Sequence, residues 1–232
     1  MVKNSILTVS TYKRIISDYL NSFKNPIFSN KTGLAQWIAR LQTAKMTWQT
    51  TKDPDDLLYL KILCIKSGHQ NRMMWVDVVL AIQALDKNNL FDFNATYSCF
   101  DDLYKKVSHA IANIRFARGI LTRYDISLHI ALLLNNPVYP DFVYLANHTR
   151  KSAENIGVKT YPYAKKSAFP KEFQILTCMQ IEDILCVYSK VFLAKSIDIT
   201  GITAKSTICH YRKKEFLLNL YRNAQKELNK KP

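Results

Sequence analysis

Residues 73–86 read MMWVDVVLAIQALD, a run in which apolar side chains fall on almost every side of a helix. A helix of this kind is usually buried at the centre of a globule, because a surface helix needs one polar face. The flanking segments also repeat apolar residues every three or four positions, which is the helical period. Only 5 Gly and 7 Pro occur in 232 residues, which disfavours a turn-rich β architecture. We therefore expect an all-α fold.

The helical segments are joined by short connections, so we expect residues 1–232 to form a single compact domain. The expected architecture is a multi-helix globule of about eight or nine helices, packed around helices at residues 73–86 and 98–118. If the chain is subdivided, the break is expected near residues 87–97, where the apolar pattern stops. A basic C-terminal helix is expected over residues 204–229.

Several residue pairs and glycines predict where individual helices begin and end. Capping boxes and an Asp-Pro start are typical of a first turn, and glycine is typical of the position after the last turn. The signals are Asp53-Pro54, Thr122 with Asp125, Thr177 with Gln180, Gly119 after residues 98–118, and Gly157 after a short helix near Thr149.

Two segments between residues 140 and 171 do not fit a long helix. Residues 142–145 (FVYL) are apolar, and we expect a buried helical turn there because no second strand is evident for pairing. Residues 159–171 (KTYPYAKKSAFPK) are basic and aromatic and contain two prolines, which predicts a loop.

The positive charge of this chain is clustered. The formal net charge is +15, and residues 104–171 carry 11 Lys and Arg against 3 Asp and Glu. Residues 205–232 carry 8 Lys and Arg against 2 acidic residues. Clustered cations are typical of surfaces that meet a polyanion, and lysines interleaved with aromatic rings suit a strand of nucleic acid.

The residues predicted to contact nucleic acid are the cations and rings of these two segments. Lysines and arginines would bind phosphates, and the tyrosines would stack on bases. The predicted set is Arg115, Arg118, Arg123, Arg150, Lys151, Lys159, Tyr161, Tyr163, Lys165, Lys166, Lys171, Arg212, Lys213, Lys214 and Arg222.

Two other functions remain open on the sequence alone. The basic faces could dock an acidic protein partner, in which case the chain is an interaction subunit. The chain could also be a diverged DNA-processing enzyme of the glycosylase or nuclease type. A membrane role is not expected, because no apolar run is long enough to span a bilayer and the apolar face of the last helix is needed for packing.

No familiar catalytic motif is present, so the sequence names no reaction. Neither G-x-S-x-G, H-E-x-x-H, a P-loop nor G-x-G-x-x-G occurs. Asp125 and His129 stand four residues apart and would share a helix face, where the carboxylate could orient the imidazole as a general base. These two residues and His148 are the candidates for catalysis.

The five cysteines predict a reducing environment and no metal site. Their number is odd, they form no C-x-x-C pair, and the N-terminus has no secretory leader pattern. Cys209 and His210 are adjacent and so point in different directions, which is unlike the convergent ligands of zinc. We expect a cytoplasmic protein without a metal ion or another cofactor.

Residues 122–190 contain a Tyr-Asp pair that opens an apolar helix, a Val-Tyr-Leu run, a Thr-Arg pair followed by Gly, and Ile-Glu-Asp followed by Cys and Tyr. The residues are Tyr124, Asp125, Val143, Tyr144, Leu145, Thr149, Arg150, Gly157, Ile181, Glu182, Asp183, Cys186 and Tyr188. With these features the segment resembles a family of uncharacterised bacterial helical proteins. The resemblance covers less than a third of the chain and implies no established activity.

His148 precedes Gly157 by nine residues, with Ile156 before the glycine. This spacing faintly resembles that of the helix-hairpin-helix DNA glycosylases, whose catalytic segment reads Asp-Thr-His-Val, with Leu-Gly nine residues beyond the His. Ala146 stands where that family has its catalytic Asp, and no glycine-rich hairpin follows Gly119. The resemblance therefore implies DNA binding and leaves the glycosylase chemistry without its carboxylate.

Overall fold

The computed structural model describes residues 7–24, 33–66, 73–193 and 213–230, and these residues are mainly helical. The expectation of an all-α fold is confirmed, with one small two-stranded sheet added. The α-helices are α1 (Val9–Lys24), α2 (Gly33–Thr51), α3 (Pro54–Ile65), α4 (Trp75–Lys87), α5 (Phe100–Ala110), α6 (Ile120–Leu133), α7 (Asn147–Asn155), α8 (Cys178–Val187), α9 (Ser189–Phe192) and α10 (Lys214–Asn229). The strands are β1 (Phe142–Tyr144) and β2 (Tyr163–Lys165), and 3-10 helices occupy Arg115–Arg118, Lys166–Ala168 and Lys171–Ile175.

The described residues group into two compact units. Unit 1 contains those of Met1–Gln36 and Pro140–Ile208, and unit 2 contains those of Trp37–Tyr139 and Cys209–Pro232. The segment 87–97, where a subdivision was expected, lies inside unit 2. The expectation of a single domain stays a prediction.

Helix α4 is central to unit 2, as its apolar sequence predicts. It packs against α3, α5 and α10. Val78, Val79 and Leu85 are fully buried, and Ile82 is 2% exposed. Leu80 is nevertheless 37% exposed, so one side of this apolar helix reaches solvent.

The core of unit 1 combines α1, the sheet, α8 and α9. Ile15, Val143, Ile184 and Phe192 are all fully buried in one cluster. Burial of such aliphatic and aromatic side chains is the largest favourable contribution to the free energy of folding.

Two tyrosine–aspartate hydrogen bonds fasten α1 to the C-terminal part of this core. The hydroxyl of Tyr19 donates to Asp183 Oδ2 at 2.9 Å, and the hydroxyl of Tyr188 donates to Asp18 Oδ2 at 2.7 Å. Burial of the Tyr19 ring, together with the nearby Asp183 carboxylate, raises the pKa of Tyr19 well above its ordinary value. The hydroxyl therefore stays protonated and remains a donor, as a buried carboxylate requires.

Local start signals are confirmed at two helices. The Asp53 side chain accepts from the backbone N–H of Asp55 at 2.8 Å and caps α3. Thr177 and Gln180 form the predicted capping box at the start of α8. The predicted end at Gly157 is also found, since this residue has a φ of 93° just after α7.

The predicted helix over residues 98–118 is wrong beyond Ala110. Helix α5 ends there, and the chain continues through a turn into the 3-10 helix Arg115–Arg118. Ile111 and Ala117 are fully buried and Ile114 is 8% exposed, so the irregular path places three apolar side chains in the core. Gly119 consequently precedes α6 as its N-cap, with an ordinary φ of −66°, and does not end a helix.

The capping box predicted at Thr122 and Asp125 is also wrong. Helix α6 already begins at Ile120, because the N–H of Arg123 donates to the carbonyl of Gly119 at 3.1 Å. Thr122 and Asp125 therefore lie inside the helix and are only 8% and 6% exposed.

The buried turn predicted at residues 142–145 is a strand. β1 pairs with β2 in antiparallel register, with Val143 opposite Ala164. Both of these side chains are buried, at 0% and 1% exposed. The partner strand lies in the segment 159–171 that was predicted to be a loop, where two prolines and four lysines obscure a strand of only three residues.

The predicted C-terminal helix is shorter in the described residues. Helix α10 begins at Lys214, and residues 204–212 lie outside the part of the chain that the structure describes.

Candidate nucleic-acid interface

The residues predicted to bind nucleic acid fall in both units. Unit 1 holds the set from Arg150 to Lys171, and unit 2 holds the remaining residues of the set. Arg212 lies outside the described residues, and the side chain of Arg118 is likewise not described.

The two-stranded sheet of unit 1 presents an aromatic and basic side to solvent. Side chains alternate between the two sides of a strand, so Tyr163 and Lys165 share the side opposite the buried Ala164. The Tyr163 ring is 50% exposed. The ring contacts Phe142 and Tyr144, its cross-strand neighbours on β1, with ring centroids 5.3 and 6.0 Å away. The ring is thus supported by two aromatic neighbours while half of it faces solvent.

Tyr161 extends this surface in the direction of α7. The chain continues beside β1 at this point, because the N–H of Leu145 donates to the carbonyl of Pro162 at 2.8 Å. Tyr161 is 50% exposed, and the guanidinium carbon of Arg150 lies 4.6 Å from the centre of its ring. This is a cation–π contact, which holds a positive charge against an exposed ring.

Arg150 is oriented by its own helix. Its Nε donates to Glu154 Oε1 at 2.8 Å, one turn further along α7. That hydrogen bond raises the pKa of Arg150 above its ordinary value, which is already high enough to keep the guanidinium charged at neutral pH. We call Arg150, Tyr161, Tyr163 and Lys165 the ribbon face.

The other predicted lysines of unit 1 surround this segment. Lys151, Lys159 and Lys171 are exposed, and Lys166 is half-buried. None of these four lysines forms a salt bridge with another described residue. Their charges are therefore not neutralised by contacts within the described part of unit 1.

The basic residues of α10 are placed differently. Lys214 Nζ lies 2.6 Å from Asp56 Oδ1. Arg222 Nη2 lies 2.6 Å from both carboxylate oxygens of Asp55. Two of the predicted phosphate-binding cations of unit 2 are thus paired with the acidic first turn of α3, whereas Lys213 is exposed.

The remaining arginines of unit 2 lie around the start of α6. Arg123 is half-buried, and its Nε donates to the carbonyl of Ala117 at 3.3 Å, which ties the 3-10 helix to α6. Arg115 is exposed on that 3-10 helix.

The candidate catalytic pair on α6 is buried. Asp125 is 6% exposed and His129 is 4% exposed. The His129 Nδ1 lies 2.9 Å from the carbonyl oxygen of Cys64, and its ring packs 5.7 Å from that of Trp37. These contacts are those of a histidine that joins α6 to α3 and α2, and they leave the catalytic role a hypothesis.

His148, the third candidate, is exposed in the first turn of α7. Ala146 precedes this helix as its N-cap, and its N–H donates to Thr149 Oγ1 at 2.9 Å. No carboxylate therefore occupies the position that the glycosylase resemblance would require.

Metal-ligand clusters and membrane-spanning helices are both absent from residues 7–24, 33–66, 73–193 and 213–230. Within them, no group of three or more His, Cys, Asp and Glu residues has the arrangement that holds a metal ion. In the same residues, no helix combines the length and the apolar character needed to cross a membrane.

The sequence pattern did not reveal the residues that support the ribbon face. The apolar run of residues 142–145 predicts a buried turn, whereas in the structure Phe142 and Tyr144 hold the Tyr163 ring in place. The usable signal was the alternation of large and small side chains in residues 142–144 and again in 163–165, since both segments follow the period of a strand.

Comparisons of this chain with models of known protein families, with curated proteins and with solved structures found no match. Both resemblances noted in the sequence therefore stay hypotheses.

Proposed function

We propose that this chain binds nucleic acid, and that the ribbon face of unit 1 is the principal contact surface. The observation that carries the proposal is the pair of half-exposed rings, Tyr161 and Tyr163, set among unneutralised lysines. Exposed rings stack on bases, and the neighbouring cations bind the phosphates that connect those bases. Such a surface supports a binding function and not a catalytic one.

The support given to the rings strengthens this interpretation. A tyrosine that is already held in place loses little conformational freedom when a base stacks on it. Tyr163 is held by two aromatic neighbours, and Tyr161 is held by Arg150. An isolated tyrosine on a flexible side chain would lose more entropy on binding.

The proposal includes a cytoplasmic location. Cys64, Cys99, Cys178 and Cys186 are free thiols. Free thiols, two of them buried, support a reducing compartment, because disulfides form and persist in oxidising ones.

The test is fluorescence anisotropy with labelled single-stranded DNA, duplex DNA and RNA, measured at about 50 and about 200 mM salt. We expect binding that weakens steeply with salt, since each phosphate contact contributes about 0.7 to 0.9 to the slope of log K against log salt. Replacing Lys165 and Lys171 by Ala should reduce this slope by about 1.5. Replacing the exposed Lys87 and Lys226 of unit 2 is the charge-matched control and should leave the slope nearly unchanged.

The rings are tested separately from the charges. Tyr161→Leu and Tyr163→Leu should each weaken binding of a single strand about tenfold, because a base stacked on an aromatic side chain contributes about 1–3 kcal/mol. Tyr139→Leu is the matched control, since Tyr139 is 54% exposed and lies in unit 2. Absence of binding to all three probes at low salt would overturn the proposal.

A further inference from the structure

Unit 1 has a groove of about 630 Å³ beside α1, separate from the ribbon face. One wall is a stripe of α1, and the other is the 3-10 helix Lys171–Ile175. The residues that line the groove are Lys13, Ile16, Ser17, Leu20, Asn21, Lys171, Glu172 and Ile175. A volume of this order is sufficient for a small organic group the size of a nucleotide.

Aliphatic side chains form the apolar part of the groove. Ile16 is 3% exposed and belongs to the core, and Leu20 packs against the same core. Ile175 is 70% exposed on the opposite wall. A large aliphatic side chain that stays in water beside a groove suits a flat apolar ligand, which would be covered on both of its sides.

Both walls are fixed by packing beneath them. The ring of Tyr12 on α1 contacts Phe173 edge-on, with centroids 5.7 Å apart. Gln174 Nε2 donates to the carbonyls of Lys166 and Phe169 at 2.9 and 3.2 Å. The groove is therefore preformed, and a ligand would not have to order it.

The polar groups of the groove suit the edge of a heterocycle and an attached phosphate. Lys13 and Lys171 supply positive charge, while Ser17 and Asn21 supply short hydrogen-bonding side chains. Glu172 is an acceptor that disfavours a phosphate and favours an N–H donor. An anionic lipid chain offers no hydrogen-bond donor to this carboxylate, whereas a nucleobase with an amino group does.

One wall of the groove comes shortly after the ribbon face in the sequence. Strand β2 ends at Lys165, the next 3-10 helix covers Lys166–Ala168, and the groove wall begins at Lys171. A strand of nucleic acid that contacts Tyr163 and Lys165 would meet the lysines of this same continuous segment.

We propose that the groove receives one unpaired base of a single-stranded nucleic acid. This inference rests on the proposed function and adds a substrate class to it. The base lies between Ile175 and Leu20, its phosphate contacts Lys13 or Lys171, and Glu172 accepts from an exocyclic amino group. Cytosine, adenine and guanine are therefore preferred over thymine and uracil, which lack an amino group and whose single ring N–H lies between two carbonyl oxygens that would face the carboxylate.

The test compares labelled single-stranded dC and dT oligomers of about 12 nucleotides, a length within the usual range for one binding site. We expect the dC oligomer to bind about tenfold more tightly than the dT oligomer. Glu172→Gln should abolish most of this preference, and Ile175→Ser should weaken binding of both oligomers about fivefold. Met46→Ser is the matched control, since Met46 is 60% exposed and lies in unit 2.

The outcomes separate the groove from the ribbon face. If both oligomers bind equally, and Glu172→Gln and Ile175→Ser bind like the unsubstituted protein, the groove inference is overturned while the proposed function stands. If neither oligomer nor any other nucleic acid binds at low salt, the proposed function fails, and the groove inference fails with it.

Discussion

Asp56 shows how a single side chain can contribute to stability in a pH-dependent way. Its Oδ1 pairs with Lys214 Nζ, and its Oδ2 accepts from the Thr51 hydroxyl at 2.6 Å. The hydrogen bond from Lys214, followed by that from Thr51, lowers the pKa of Asp56 below its ordinary value. A carboxyl whose pKa is lower in the folded state favours folding above its unfolded pKa of about 3.9, and this contribution is lost as pH falls through the folded value.

We therefore expect the melting temperature of the wild-type protein to fall on acidification below about pH 4, partly because Asp56 becomes protonated. Lys214→Met should lower the melting temperature at pH 7 and leave a smaller further loss at low pH. Thermal denaturation followed by circular dichroism between pH 7 and pH 3 measures both effects. Lys213→Met is the neighbouring control, because Lys213 is exposed and no ion pair with another described residue involves it. Identical pH profiles for the wild type and Lys214→Met would contradict the assignment.

At the scale of elements, two glycines show how a helix end can be misjudged from sequence. Both were predicted to follow the last turn of a helix. Gly157 does so with a φ of 93°, a conformation that L-residues rarely adopt. Gly119 instead precedes α6 with a φ of −66°, because α5 ends eight residues before the predicted end of the helix.

Substitution by alanine should distinguish these two glycines. Gly157→Ala is expected to reduce the free energy of unfolding by about 1 kcal/mol or more, through backbone strain alone, since no atom lies within 4 Å of the added Cβ. Gly119→Ala is expected to change it by less than about 0.5 kcal/mol, because a poorer N-cap is offset by a less flexible unfolded chain. Its Cβ would contact only the Thr122 hydroxyl oxygen, at 3.6 Å. Urea denaturation measures both, and equal losses would contradict the distinction.

The lengths of the elements explain why the sequence pattern predicts most of the helices but not the sheet. A helix of ten or more residues repeats its apolar period several times, so the pattern is statistically strong. β1 and β2 have three residues each, and neither can be recognised without the other. The prolines at residues 162 and 170 also predict a loop, although Tyr163–Lys165, directly after the first of them, pair with Phe142–Tyr144.

At the scale of the whole molecule, the two basic segments differ in how their charges are placed. Both basic segments keep exposed lysines without described ion-pair partners, but only the first sets them beside the half-exposed rings of Tyr161 and Tyr163. In the second segment, Lys214 and Arg222 are paired with the acidic residues of α3. Net charges of +8 and +6 alone would predict similar contributions to polyanion binding, whereas this arrangement predicts a larger contribution from the first segment.

Charge reversal at matched positions tests that difference. The triple substitution of Lys159, Lys165 and Lys171 by Glu should weaken nucleic-acid binding about a hundredfold or more at low salt. The same substitution of the exposed Lys213, Lys226 and Lys230 changes the net charge equally and should weaken binding less than about fivefold. Anisotropy titrations of both variants at one salt concentration provide the comparison. Similar losses would show that binding depends on total charge and not on the lysines in and around the ribbon face.

The sequence alone determined the features that depend on residues close together in the chain. The helical class follows from a period of three to four residues, the starts of α3 and α8 follow from caps within three positions, and the clustering of charge is visible by counting. These features are local because each hydrogen bond in a helix joins residues four apart.

Only the tertiary structure decided which of the candidate residues are engaged in contacts within the protein and which can meet a ligand. Asp56 and Lys214 are 158 residues apart, and Tyr19 and Asp183 are 164 apart, yet both pairs are in direct contact. The groove likewise joins α1 to residues 171–175. Such contacts depend on how apolar faces pack, and packing brings together residues whose own neighbours in sequence carry no sign of the partner.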